Sequence, residues 1–366
     1  MLQIEHIYEF FYGNLFKKFS VVTTPSGVLP DKFVGFPGLP QYVQKKILEN
    51  RNNKDYLHNI IFFYDQEPMH VDKLVPYVND IIDTSLNAQL TITVSEISQN
   101  VDSWREKNIN VLYYFFHGFA ALDWFRGHRA LNYSKNPIKN YKYDYQSFNR
   151  IVTGDRAYRK IFVTKLKENN LLDNGLVSYG VTNEPVTDER LVIDQEQISA
   201  TASADILRSL DCPGQPDYSA FWHIVTETVF YYDKLHLTEK IFKPIVSKQP
   251  FMLLAAPGNL AYLKSYGFKT FDSVIDESYD LIQDDHERID AVVTQIKWYC
   301  NLSQEEKSRV IERLAPIVEY NFHHFYGKFK EIITDELLDN SKKLFKELNY
   351  DDSDVDYALI KTLLTS

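Results

Sequence analysis

The chain has 366 residues, 44% of them hydrophobic and 14% aromatic, enough apolar material for a sizeable core and for two α/β domains. A net charge of -10 and a pI of about 5.5 exclude a global basic field that recruits nucleic acid or anionic lipid, although 40 Lys and Arg residues leave room for a local basic groove. The two cysteines, Cys212 and Cys300, stand far apart in neither a zinc nor a redox spacing, which fits reduced structural thiols. Residues 1–19 interrupt their apolar run with Glu5, Glu9, Lys17 and Lys18, unlike a signal peptide, and no window is apolar for long enough to span a bilayer. The expectation is a soluble cytoplasmic protein, or one of the host cytoplasm if the source is viral.

In chain order, residues 19–24 (FSVVTT) form a first expected strand, closed by the turn Pro25-Ser26-Gly27. A loop with fixed bends follows at 34–40, then a helix at 41–50. Residues 59–64 (NIIFFY) are a continuous apolar run, as in a strand covered on both faces, and end in Asp65-Gln66-Glu67-Pro68. Further strands are expected at 90–96 (LTITVSE) and at 111–116 (VLYYFF), the latter ending in His117-Gly118. Strands alternating with helical segments imply βαβ units and a parallel sheet. The Tyr-, Lys- and Asn-rich stretch 132–146 reads as a linker.

The alternation restarts with a strand at 148–153 (FNRIVT), a basic helix at 156–170 and a strand at 176–179. Residues 182–216 read as a loop-rich insertion with a short helix. Then comes an apolar strand ending in Val225-Thr226-Glu227-Thr228, a polar loop, a helix opening at Thr238-Glu239-Lys240, and a strand at 250–256 ending in Pro257-Gly258. Helices over 289–300 and 303–319 and a helical tail complete the chain. The expected domains are 1–146, 147–325 and a tail 326–366. The closing acidic run 351–356 (DDSDVD) reads as a solvated turn rather than a metal site.

Several residues invite a chemical reading. Glu239 and Lys240 stand in the first turn of their helix. A carboxylate there accepts both hydroxyls of a ribose and an ammonium meets a diphosphate, but Thr238 with Glu239 is equally the ordinary start of a capped helix. Glu227 ends a strand, where ligands gather in open α/β sheets, or it caps a neighbouring turn. Asp65 and Glu67 form a strand-end carboxylate pair suited to deprotonating a hydroxyl, or a polar turn fixed by Pro68; His117 is the alternative base. Arg156 and Arg159 share a helical face that clamps a diphosphate or faces solvent. Trp124 and Arg126 read as packing and a surface pair. No Gly-rich phosphate loop, dinucleotide fingerprint, nucleophile elbow, Cys/His zinc cluster or acidic metal motif occurs.

As an ordered set, FNRIVTGDRAYRKIFVTKLKENNLL, VTET, LTEKIFKP, PFMLLAAPG and LKSYGFKTF, over about 149–280, resembles the α1,3-fucosyltransferase-like glycosyltransferases of family 10, in their short bacterial and phage form. The earlier YDQEP resembles the Glu-x-Pro segment that supplies the base in that family. The resemblance implies a GT-B fold, two Rossmann-like domains facing a cleft, and an inverting, metal-independent transfer from a nucleoside-diphosphate sugar without a further cofactor. It implies Glu67 as base, Arg159 and Lys240 on the diphosphate, Glu239 on the ribose and Glu227 on sugar or nucleotide. Arg159 is favoured over Arg156 by its spacing of seven from Leu166. VTET departs from the family's Phe-Glu-Asn-Ser run, which leaves the donor base and sugar open. A GDP- or UDP-linked donor and a glycan or other hydroxyl acceptor are expected. Two alternatives stand beside this: transfer to a hydroxymethylated base in phage DNA, which net charge disfavours, and a non-catalytic nucleotide-sugar or carbohydrate-binding protein.

Overall fold

A computed structural model describes residues 4–15, 19, 21–23, 59–63, 89–107, 109–129, 141–180, 186–194 and 220–366. The expected helix at 41–50, the preceding loop and Asp65-Gln66-Glu67-Pro68 lie outside them. Two compact units divide the chain: residues 1–123 with 330–366, and residues 124–329.

The first unit opens with α1 (Ile4–Phe10) and a π-helical turn, Phe11–Leu15. Its strands β1 (Val21–Thr23), β2 (Asn59–Phe63), β3 (Gln89–Val94) and β4 (Asn110–Tyr113) lie side by side in that order, all parallel. In β3, every residue after Gln89 is buried, as expected of a strand covered on both faces. Helix α2 (Gln99–Glu106) connects β3 to β4 and buries Val101 and Trp104.

The strand expected at 111–116 is shorter than its apolar run. It stops at Tyr113, and Phe116–Trp124 form helix α3, buried from Phe116 through Asp123. A short run that is apolar on all sides reads the same for a covered strand and an interior helix, so periodicity did not separate them. His117 is therefore the second residue of a buried helix, not a strand-end group.

In the second unit β5 (Tyr143–Ser147), α4 (Tyr158–Glu168), β6 (Gly175–Gly180), β7 (Leu191–Asp194), β8 (Ala220–Thr226), α5 (Glu239–Val246) and β9 (Phe251–Leu254) are followed by α6 (Asn259–Ser265), α7 (Asp285–Cys300) and α8 (Gln304–His324). The strand order is β9-β8-β5-β6-β7, every pair parallel. Numbered from β5 within this unit, that is 3-2-1-4-5 read from the β7 edge, the Rossmann-like order in which connections reverse between the first and fourth strands, here β5 and β8. β5 lies almost wholly in the stretch read as linker, ending one residue beyond it, and replaces the strand expected at 148–153. Its sequence, YDYQS, is polar because only its second half is fully buried. Residues 148–153 are instead the loop that leaves the sheet. β7 lies in the segment read as an insertion.

After a second π-helical turn, Phe325–Phe329, helices α9 (Lys330–Glu347) and α10 (Tyr357–Thr365) belong to the first unit, where Asn340 Nδ2 donates to Tyr113 O at 2.9 Å. The acidic run before α10 is a capped turn, Asp356 accepting from Leu359 N at 2.9 Å.

Two features of the second sheet are sensitive. Gly180 N donates to Asn149 O at 2.8 Å, and a Cβ on Gly180 would lie 1.6 Å from Arg150 O. Gly180→Ala is expected to lower unfolding free energy by about 3 kcal/mol in urea titration, because main chain has to move.

His223, buried in β8, has Nδ1 3.2 Å from Gln146 Nε2, which in turn donates to Gln249 Oε1 at 3.2 Å. Burial first, then the Lys243 charge, hold its pKa down at about 3, against an ordinary 6.5. The imidazole is neutral when folded and takes a proton when unfolded, so its stabilisation is complete above pH 6.5 and is lost as pH falls from 6.5 toward 3. His223→Asn is expected to flatten the stability–pH profile in that window by about 1 kcal/mol per pH unit, measured by urea unfolding at pH 4, 5, 6 and 7.

Candidate functional site

The carboxyl ends of β5 and β8 are held together by Asn149, wholly buried in the loop after β5. Its Nδ2 donates to Ser147 Oγ at 3.2 Å and Ser178 O at 3.3 Å, its N donates to Ser178 Oγ at 2.9 Å, and its Oδ1 accepts from Thr226 Oγ1 at 3.1 Å. One side chain thus joins the ends of β5, β6 and β8. Ligands of open parallel sheets bind in the crevice beyond such ends, where the strand order reverses.

Two first-turn residues of α4 reach the same place. Arg159, 3% exposed, donates from Nη1 to Ile151 O at 3.1 Å and from Nη2 to Thr226 O at 2.7 Å and Glu227 O at 3.2 Å. The Tyr158 hydroxyl donates to Glu227 O, and its ring stacks on Phe230 at 4.0 Å. Burial pushes the Tyr158 phenol up to about 12 against the lowering charge and hydrogen bond of Arg159, so it stays a donor at neutral pH. Arg156 lies half-buried in the 3-10 turn Gly154–Arg156 just before α4.

The loop after β8 returns at Thr238. Glu227 is fully buried, and its carboxylate accepts from Thr228 N at 3.0 Å, Thr238 N at 3.1 Å and Thr238 Oγ1 at 2.6 Å. It is a clasp between the end of β8 and the start of α5. Thr238 is the cap of α5, its oxygen also accepting from Lys240 N at 3.4 Å. The buried face of α5 anchors the helix, with Phe242 packed on Phe325 at 5.2 Å and Phe329 at 5.3 Å.

Lys240 Nζ donates to Thr228 Oγ1 at 3.1 Å, Thr238 Oγ1 at 3.1 Å and Glu239 Oε1 at 3.0 Å. Its side chain is 30% exposed and that of Glu239 18%. Two of the three acceptors are neutral hydroxyls, which a phosphate oxygen replaces with a stronger charge-assisted bond. Of the expected donor residues, then, Lys240 and Glu239 are part-open, whereas Glu227, Thr238 and both terminal nitrogens of Arg159 are engaged within the protein.

Asn259 was missed by sequence reasoning. Buried, it accepts from His236 N at 2.8 Å and donates to Lys234 O at 2.8 Å and Ala256 O at 2.9 Å, setting the approach to Thr238. Its signal was the turn before it, where Gly258 has φ +81. Of the expected bases, Asp65 and Glu67 lie outside the described residues, and His117 is buried in the first unit, edge-on to Phe116 at 5.1 Å. Among the described residues no group of His, Cys, Asp or Glu is placed to hold a metal ion, and no helix is long and apolar enough to cross a membrane.

These features define an α/β protein with a five-stranded parallel Rossmann-like sheet and a built polar cluster at its switch point. No family model matches the chain, and no curated protein matches it.

Thr238→Val removes a buried donor to Glu227 and the acceptor for Lys240 while keeping shape. We expect a loss of about 2 kcal/mol in urea unfolding, with Thr238→Ser close to wild type.

Proposed function

We propose that the chain is an inverting, metal-independent glycosyltransferase of GT-B type that moves a sugar from a GDP- or UDP-linked donor to an acceptor hydroxyl of a glycan. The observation that carries this reading is the part-open Lys240–Glu239 pair, held at the start of α5 by the buried Glu227–Thr238 clasp beside the switch point. The family resemblance of the ordered motifs supports the same reading.

In this mechanism the acceptor oxygen attacks the anomeric carbon as the bond from that carbon to the diphosphate oxygen breaks, and the electron pair leaves with the diphosphate. Lys240 offsets the charge that develops there, and Glu239 accepts the ribose hydroxyls. Glu67 takes the acceptor proton. The donor is a co-substrate, and no other cofactor is invoked.

A thermal-shift panel of nucleoside diphosphates and their sugar conjugates tests the reading, since a ligand of the native state raises the melting temperature. Wild type is expected to shift with GDP or UDP compounds, and Lys240→Ala to bind them about 10- to 100-fold more weakly, the scale of a lost charged hydrogen bond. Glu67→Ala is expected to keep the shift and lose at least about 100-fold in turnover. Absence of any nucleotide shift in wild type would sink the proposal.

A further inference from the structure

Arg156 and Arg159 stand three residues apart, and their guanidinium groups are differently occupied. Arg159 is buried and donates through both terminal nitrogens to three main-chain carbonyls, Ile151 O, Thr226 O and Glu227 O. Those acceptors sit at the ends of the two strands flanking the switch point. A ligand oxygen taking these donors would withdraw them from Ile151 O and Thr226 O and leave Glu227 O with the Tyr158 hydroxyl, a loss that a new bond to phosphate has to exceed. Two of its five N–H groups remain, the buried Nε, without a partner among the described residues, and one on Nη1; each parallel pair of the fork includes Nη2, whose two N–H groups are both committed, so no two-pronged contact is open to a phosphate.

Arg156 is the reverse case. It is half-buried; its N donates to Thr153 O at 3.2 Å, and its guanidinium makes no ion pair or hydrogen bond among the described residues. The turn that carries it is fixed from the far side of the switch point, because the neighbouring Asp155 accepts from Tyr232 Oη at 3.0 Å, in the loop after β8. That bond occupies the carboxylate closest in sequence. Gly154, at φ +58, has no atom of the described residues within 4 Å of where a Cβ would stand, so the outer side of the turn is open toward them. Tyr158, two residues further on, donates to Glu227 O, so the turn stands beside the Glu227 end of β8.

We infer that Arg156 is the arginine that binds the diphosphate of the ligand, and that Arg159 is a positioning residue that sets the carboxyl ends of β5 and β8. The inference rests on the nucleotide reading of the site and reverses the order of the two arginines implied by the family spacing. A half-buried cation held on a fixed turn loses little freedom on binding, and its fork is available for two parallel bonds.

The test uses the full chain with inorganic pyrophosphate, GDP and UDP as probes, by calorimetry at low and moderate salt and by thermal melts without ligand. Arg156→Gln is expected to melt as wild type, to bind all three probes roughly tenfold or more weakly, and to show a shallower dependence of affinity on salt. Arg159→Lys is expected to melt at a lower temperature without ligand. Measured well below that temperature, it should keep an affinity within about threefold of wild type and the wild-type salt dependence, since the net charge of the site is unchanged.

If Arg156→Gln binds like wild type while Lys240→Ala does not bind GDP or UDP, the Arg156 assignment is overturned and the nucleotide reading stands. If Arg159→Lys keeps its melting temperature and loses tenfold in affinity, Arg159 is the ligand and the roles proposed here are wrong. Wild-type binding of pyrophosphate without either nucleotide, lost in Arg156→Gln, keeps the arginine assignment and overturns the nucleotide reading. Wild-type binding of none of the three overturns both.

Discussion

The buried carboxylate of Glu227 is the constraint on which the site depends. An acidic group without solvent needs donors on both oxygens, and here they come from Thr228 N, Thr238 N and Thr238 Oγ1. Because those donors belong to the strand end and to the cap of α5, satisfying the carboxylate fixes where the helix begins. Thr238 Oγ1 and Thr228 Oγ1 are then in place to accept from Lys240 Nζ. The position of the ammonium follows from the clasp, not from the lysine's own flexible stem.

A second fixed point makes the clasp useful. Asn149 and Arg159 tie the end of β8 to that of β5 through Thr226 Oγ1, Thr226 O and Glu227 O. Glu227 therefore approaches α5 from a strand end already set against its neighbour across the switch point. Asn259 restrains the returning loop at Lys234 and His236. The donors and acceptors are oriented before any ligand arrives, the condition under which electrostatic stabilisation of a developing charge is effective.

The parts of this arrangement that were legible in the sequence are the local ones. Thr238 followed by an acidic residue announces a capped helix through contacts within two residues, and the apolar run before Glu227 announces a covered strand. The strand β5 was hidden because Tyr, Asp, Gln and Ser carry no apolar run, although pairing with β6 and β8 makes its second half the centre of the sheet. His117 was displaced because an apolar stretch does not declare whether it is strand or helix. The role of Asn149 depends on partners 29 and 77 residues away, and that of Arg159 on carbonyls up to 68 residues away. Main-chain acceptors leave no residue-type signature, so no reading of side chains reveals them.

That last point bears on how roles pass between similar sequences. A motif conveys that an arginine or a glutamate stands at a given spacing, but its chemistry is set by which partners are already engaged. Arg159 donates to main-chain carbonyls at the strand ends, one of them shared with the Tyr158 hydroxyl, whereas Lys240 faces hydroxyls that a phosphate oxygen outcompetes. The same distinction separates Glu227, with both oxygens occupied by buried donors, from Glu239, which accepts from the neighbouring ammonium at a part-open position. Groups that fix the scaffold and groups that meet a ligand thus alternate along one short stretch, and it is the replaceability of their partners that tells them apart.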